Sequence, residues 1–297
     1  MEGTTLSLVE RIFLTVFPLV AIVSVGFFYG RKKRPDMSVA NQINMDVFCP
    51  ALIFSVLSAK SFDLGAFQEL AIGAALIVLG SGLLLWPLCR LMNIQIKTFL
   101  PPMMFSNSGN LGLPLVVLAF GEQALPAAVI LFLVENTLHF TVGIYMLDHR
   151  TNPLNLLKMP MILASIMGLI WSGFDLALPT AAATFIGMLG DVCIPLMLFA
   201  LGVRMTSVDF SRWRIGMLGA ILCPLSGVLL ALCLQPILQL EPTQFGYLIL
   251  FGALPPAVLN YMVAERYNQE PDQVASIVLL GNMGSLIIIP LTLAFIL

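Results

Sequence analysis

The stretch FSNSGNLGLP, Phe105 to Pro114, lies between the apolar runs TFLPPMM and LVVLAFG, and its reading decides how this chain folds. Two asparagines, two serines, two glycines and a proline stand where an uninterrupted apolar helix would otherwise run. Proline withholds a backbone donor and collides with the preceding turn, and glycine weakens a helix further, so the ladder is expected to open here. Backbone groups freed in hydrocarbon have no water to pair with. They are tolerated only where protein buries them or a wet cavity receives them.

Working outward, the 297 residues are 59% hydrophobic and 10% charged, more apolar surface than a water-soluble domain can hide. Apolar runs long enough to cross ~30 Å of hydrocarbon fall at residues 8–30, 38–59, 66–89, 99–119, 124–147, 159–176, 181–203, 215–238, 244–264 and 273–296. The first lacks a small-residue cleavage site and is followed, not preceded, by RKKR, so it reads as a span and not as a signal peptide. With the N-terminus outside, twelve of the fourteen basic residues fall in cytoplasmic loops; Arg11 and Lys60 are the exceptions. That bias is the positive-inside rule. Trp86 and Trp213 fall near the cytoplasmic interface and Trp171 near the outer one. The expectation is an all-α polytopic protein with ten transmembrane helices, both termini outside, in the cell membrane. Cys49, Cys89, Cys193, Cys223 and Cys233 lie in or beside apolar runs with no CxxC, so they read as small hydrophobes, with no disulfide, metal or cofactor implied.

An internal match supports a further step. DVFCPALIF, Asp46 to Phe54, aligns with DVCIPLMLF, Asp191 to Phe199, at an offset of 145 residues, with Asp, Val, Pro and Phe in register. Five spans per copy is an odd number, so the second copy would sit inverted relative to the first. The expected organisation is a first five-helix repeat at 1–147, a short cytoplasmic linker at 148–158 and a second repeat at 159–297, forming one membrane domain. The fourth span then corresponds to the ninth, whose GALPPAVLN, Gly252 to Asn260, is also interrupted. Helix segments beginning after Gly109–Gly112 and at Pro255–Pro256 would present N-termini at mid-membrane, where an anion is favoured. Ser106, Asn107, Ser108, Asn110 and Asn260 would orient it.

Acidic groups inside the spans supply a second set of candidates. Glu135 and His139 stand four residues apart, on one helix face, with no lysine or arginine deep in any span. A lone carboxylate in such surroundings takes up a proton or holds a cation, which makes this pair a candidate proton relay. Asp46 and Asp191, near mid-depth, form a candidate cation or proton site, the alternative being that they brace the helices.

With these residues in view, the chain resembles the auxin efflux carrier family, and within it the bacterial organic-acid permeases of malate or malonate type. ALPPAVLNYMVAERYNQEPD, Ala253 to Asp272, carries the most specific likeness, supported by LGDVCIPLMLFALG, Leu189 to Gly202, and by NSGNLGLP, where Asn107 falls at the crossover asparagine. The resemblance implies five plus five inverted spans, two broken crossover helices, and a scaffold around the second and seventh spans that often pairs as a homodimer. It departs from the plant carriers at Asn260, where they usually carry a second proline, at Glu135, where they carry an amide, and at Asp46, where no acid matches.

The leading reading is a secondary transporter of a small organic anion, a mono- or dicarboxylate, with Asn107, Ser108, Gly109, Asn110, Pro255, Pro256 and Asn260 at the substrate. Glu135, His139, Asp46 and Asp191 are the candidate proton or cation coupling residues. The alternative is a sodium-coupled symporter or cation/proton antiporter of related fold, in which Asp46, Asp191 and Asn282 would supply oxygens. An intramembrane hydrolase is disfavoured, because MLGD at Met188 to Asp191 lacks the GxGD form and neither HExxH nor GxSG occurs.

Overall fold

A computed structural model describes residues 7–59, 65–149, 157–206 and 212–297. Lys60, Arg150 and most of the expected linker lie outside the described residues. In chain order the helices are α1 (Leu8–Lys33), α2 (Ser38–Leu57), α3 (Gly65–Leu91), α4 (Ile96–Met104), α5 (Ser108–Phe120), α6 (Glu122–Leu147), α7 (Pro160–Gly173), α8 (Thr180–Arg204), α9 (Trp213–Leu238), α10 (Pro242–Gly252), α11 (Leu259–Arg266) and α12 (Pro271–Ile296). Among the described residues there is no strand beyond one isolated antiparallel bridge, Ser106 with Pro256. Seven of these helices, α1, α2, α3, α6, α8, α9 and α12, are long and apolar enough to cross a membrane.

The short helices are short for a reason written in their ends. Helix α10 has 11 residues and α11 has 8. At ~1.5 Å per residue neither covers ~30 Å. Between them the chain is extended around Pro255 and Pro256, and between α4 and α5 it is extended at Phe105.

Local signals set the other ends. A capping box opens α1: the Ser7 hydroxyl accepts the Glu10 backbone N–H, and the Glu10 carboxylate accepts the Ser7 N–H at 2.8 Å. Arg31, Lys32 and Lys33 occupy its last turn, where cations complement the dipole, and Arg34 closes it in the left-handed conformation at φ 48°. Among the described residues, three π-helical turns interrupt otherwise regular helices, at Asn44–Phe48, Ser108–Gly112 and His139–Gly143. Such turns are frequent at functional sites.

Glycine sets the closest packings. A Cβ on Gly26 of α1 would stand 2.2 Å from the Phe199 carbonyl of α8, and one on Gly202 of α8 would stand 2.0 Å from the Val23 carbonyl of α1. Backbones in contact maximise the dispersion that holds helices together in lipid. Helix α7 meets α2 at Gly168 against Leu57, and α9 meets α10 at Gly227 against Gly252. The centre belongs to α4, α5, α6 and α10, whose Phe99, Leu113, Leu115, Val129, Leu248 and Leu250 are fully buried, while α1 turns Phe13, Phe17 and Phe28 outward. Trp86 and Trp213 are exposed, each with a neighbouring arginine over its ring. Trp171 is half-buried against Phe54, more a packing residue than an interfacial one.

Candidate functional site

The two helix breaks meet. The Asn107 N–H donates to the Pro255 carbonyl at 2.7 Å, and the Ala257 N–H donates to the Phe105 carbonyl at 2.9 Å. Each broken strand thereby satisfies the other's freed backbone, which answers the demand that no polar group face lipid. Side chains lock the junction. Asn282 of α12 accepts from the Asn107 amide at 2.8 Å and donates to the Pro256 carbonyl at 3.0 Å, and Asn260 donates to the Phe105 carbonyl at 2.9 Å.

The sequence reading misplaced the restarts. Helix α5 begins at Ser108 in a π-helical turn, not after Gly109–Gly112, and α11 begins at Leu259, not at Pro255–Pro256. The glycines are therefore packing residues inside a continuing helix: a Cβ on Gly109 would stand 2.8 Å from the Phe132 ring, and one on Gly112 2.8 Å from Leu254. Pro255 and Pro256 lie in the extended stretch, where a missing N–H costs nothing and the Pro255 carbonyl serves as acceptor. The first bonds of α5 run from the Leu111 and Gly112 N–H groups to the Asn107 carbonyl, so the N–H groups of Ser108, Gly109 and Asn110 have no backbone partner outside their own helix among the described residues.

Beside this crossing lies a cavity of about 1190 Å³. Ser106, Asn107, Gly109, Asn110 and Ala257 form its wall at the crossing; Phe132, Glu135, Asn136 and His139 form its wall on α6. Its mouth lies between the end of α1, the start of α2 and the end of α8, at Arg31, Arg34, Asp36, Arg204 and Thr206. The Ser38 backbone N–H, 2.9 Å from an Asp36 oxygen, together with the Ser38 side chain, holds this carboxyl below the usual carboxylate range, so it stays ionised at the mouth.

Glu135 and His139 are each nearly sealed from solvent, at 3% and 2% exposure. The Ser108 hydroxyl donates to Glu135 Oε2 at 2.8 Å, joining the acid to the first residue of α5. Glu135 Oε1 stands 3.5 Å from His139 Nδ1, close but not aligned as a hydrogen bond, and neither atom has a hydrogen-bond partner. The His139 ring stacks on Phe105, centroids 4.2 Å apart, and so touches the break itself.

The remaining predicted residues divide. Ser108, Pro255, Pro256 and Asn260 flank the crossing without lining the large cavity. Asp46 and Asp191 are exposed on α2 and α8 and do not line it, and among the described residues no group of three or more His, Cys, Asp or Glu could hold a metal ion. Sequence reasoning missed Asn136, Phe132, Arg204 and Met262 in the cavity wall. Asn136 could have been found as the polar neighbour of Glu135 in an apolar span; the other three carry no signal that distinguishes them from core or interfacial residues.

The sequence itself has relatives among known proteins. The sequence matches the membrane transport protein family over residues 11–156 and 149–293. The chain belongs to this family, that of the auxin efflux carriers. It is 26% identical to an uncharacterized transporter of Methanothermobacter thermautotrophicus over 93% of this chain and 96% of that protein. A second uncharacterized transporter, from Methanocaldococcus jannaschii, is 23% identical with the same coverage. Auxin efflux carrier component 8 of Arabidopsis thaliana is 27% identical over 46% of this chain and 38% of its own length. The protein is thus a multi-pass membrane transporter of the auxin efflux carrier family.

Proposed function

We propose that this transporter moves a small organic anion, a mono- or dicarboxylate, across the membrane by alternating access, with the substrate at the crossing of the broken helices. The observation that carries the reading is the pairing of Ser106 with Pro256 beside the large cavity. An anion there would meet the N-terminus of α5, the amides of Asn107 and Asn110, and the buried, unpartnered hydroxyl of Ser106. Three guanidinium groups, Arg31, Arg34 and Arg204, line the cavity against two carboxyls, Asp36 and Glu135. That balance favours a negative guest.

Counting α4 with α5 and α10 with α11 as one broken crossing each, and adding α7 to the seven long helices, gives ten crossings. Contacts related by the 145-residue offset support an inverted repeat. Ser81 and Ser226, 145 residues apart, approach each other at 3.4 Å, as residues on a two-fold axis would. Val23 lies against Gly202, and Gly168 against Leu57; shifting Val23 and Leu57 by 145 residues lands on Gly168 and Gly202. The basic ends of α1 and α8 would face the cytoplasm by the positive-inside rule, so the cavity would open inward with both termini outside. Exposed Asp46 and Asp191 are costly against lipid, which supports a second copy covering that face. Glu135 with His139 is the proposed proton-handling pair, tied through Ser108 to the proposed anion site.

The test is uptake of labelled carboxylates by purified protein in liposomes. Transport of at least one acid, lost in Asn107→Ala, is expected. No carboxylate uptake, or full uptake in both Asn107→Ala and Asn260→Ala, would remove the reading.

A further inference from the structure

One charged group in the cavity wall lacks a partner of its own. Arg204 ends α8 and lines the cavity, yet its Nη1 is buried without a hydrogen-bond partner. Its Nη2 touches the thioether of Met262 on α11 at 3.9 Å. The nearby acid, Glu265, accepts from the Tyr261 hydroxyl at 3.2 Å, and the ion pair within 4.0 Å found among the described residues is that of His139 with Glu135, not one at Arg204. A guanidinium has five donors in a planar fork that matches a carboxylate, and leaving them unmet in a half-buried position is expensive. A basic residue serving only as an interfacial anchor extends to headgroups. Arg204 instead lies against Met262 of α11, four residues past Val258, and both of these line the cavity.

Arg204 and the crossing mark two parts of one cavity, each with donors to offer: the guanidinium at the mouth, and within it the N–H groups of Ser108 to Asn110, which have no backbone partner outside their own helix. We propose that Arg204 is a specificity-determining residue that receives a second carboxylate, so that the site selects short dicarboxylates over monocarboxylates of equal length. Met262, flexible and exposed, lies against the fork and would move aside for a carboxylate. This rests on the organic-anion reading above.

The experiment compares uptake of succinate and butyrate by proteoliposomes holding wild type, Arg204→Gln, Arg204→Lys and Asn107→Ala, with the amount of inserted protein measured for each. Wild type is expected to favour succinate in kcat/KM. Arg204→Gln should cut that preference by about 10- to 100-fold, the scale of a lost charged hydrogen-bond pair, chiefly through KM for succinate, with a smaller rise in KM for butyrate from the lost positive charge. Arg204→Lys should recover part of it. Equal handling of the two acids by wild type, or an unchanged preference in Arg204→Gln, overturns the proposal and leaves the anion reading standing. Should Arg204→Gln fail to insert, the wild-type preference and Arg204→Lys decide, since a lysine anchor without the fork would then keep full selectivity only if the proposal is wrong. Uptake of neither acid overturns the dicarboxylate proposal; uptake of no carboxylate at all, or full uptake in Asn107→Ala and in Asn260→Ala, defeats the underlying reading instead.

Discussion

Replacing Asn282 by leucine should loosen the crossing and weaken the site in front of it. The side chain is 5% exposed and makes two bonds that leave its own helix, from the Asn107 amide at 2.8 Å and to the Pro256 carbonyl at 3.0 Å. Its third, to the Val278 carbonyl one turn back, stays within α12. Leucine keeps the volume and strands two polar groups, one of them on Asn107, which is 2% exposed. An orphaned buried group costs about 1–3 kcal/mol, and hydrogen bonds between membrane helices average ~0.6 and reach ~1.7 kcal/mol. Two orphans together put the loss at roughly 2–4 kcal/mol. At about 2 °C per kcal/mol for a chain of this size, Tm should fall by ~4–8 °C.

The cysteines provide the assay. Cys49, Cys89, Cys193 and Cys223 are buried and Cys233 is exposed, so a thiol-reactive dye on a Cys233→Ser background reports unfolding. Ser285→Ala is the control: it loses only a bond to the Asn282 carbonyl of its own helix and should shift Tm little. A freed Asn107 should also raise the KM of transport. If Asn282→Leu melts within about 1 °C of its parent, well below the expected shift, with KM unchanged, this side chain does not hold the crossing.

Gly202→Ala should force α1 and α8 apart, since the new methyl would sit 2.0 Å from the Val23 carbonyl; a loss of about 1–3 kcal/mol or more should appear as a lower Tm, and Gly187→Ala, with open space around it, should not. Glu135→Gln keeps an acceptor for the Ser108 hydroxyl but cannot carry a proton, so uptake should lose its response to an imposed pH gradient; an undiminished response would exclude Glu135 from coupling. Asn110→Cys, on a background lacking the native cysteines, should react with a membrane-impermeant thiol reagent from the side bearing Arg31 and Arg34 and not from the other, because the cavity mouth lies there. Labelling from the opposite side would contradict the cavity's direction.

Much of the fold was legible in the sequence because the bilayer leaves few alternatives. Apolar length identifies a helix by itself, as with α1, α9 and α12, and polar punctuation at Phe105 to Pro114 announces a break. What the sequence hides is which neighbour completes a broken backbone. The bond from Asn107 to Pro255 joins residues 148 apart in number, and no local pattern marks it. Gly109 and Gly112 read as breakers because glycine is a weak helix former, yet here they make room for Phe132 and Leu254. Glu135 and His139 were legible as one face of one helix. Arg204 was not, since an arginine at a helix end is expected as an anchor whether or not it touches a ligand.

The distribution of polar contacts bears on how such a molecule could alternate. Helices α3 to α6 and α9 to α12 are stitched through the crossing by buried bonds among Phe105, Asn107, Pro255, Pro256, Asn260 and Asn282. Helices α1, α2, α7 and α8 pack on one another through Gly26, Gly168, Gly190 and Gly202. Between the two sets, among the described residues, the side-chain polar contacts are few and weak: Arg11 to the Leu297 carbonyl at 3.5 Å, Thr15 to the Leu118 carbonyl at 3.3 Å, and Arg204 to the Met262 sulfur at 3.9 Å. A boundary with almost no buried hydrogen bonds to break can slide at little cost, because dispersion between apolar faces is regained at each new register. The cavity opens along this boundary, with Arg204 on one side and Asn107 and Glu135 on the other. A bound anion would bridge the two sets, so displacement of one against the other would necessarily alter the contacts that hold it. The proposed site thus lies on the weak seam, and Thr15 to Leu118, not the crossing, is the contact expected to differ when the cavity faces the other side.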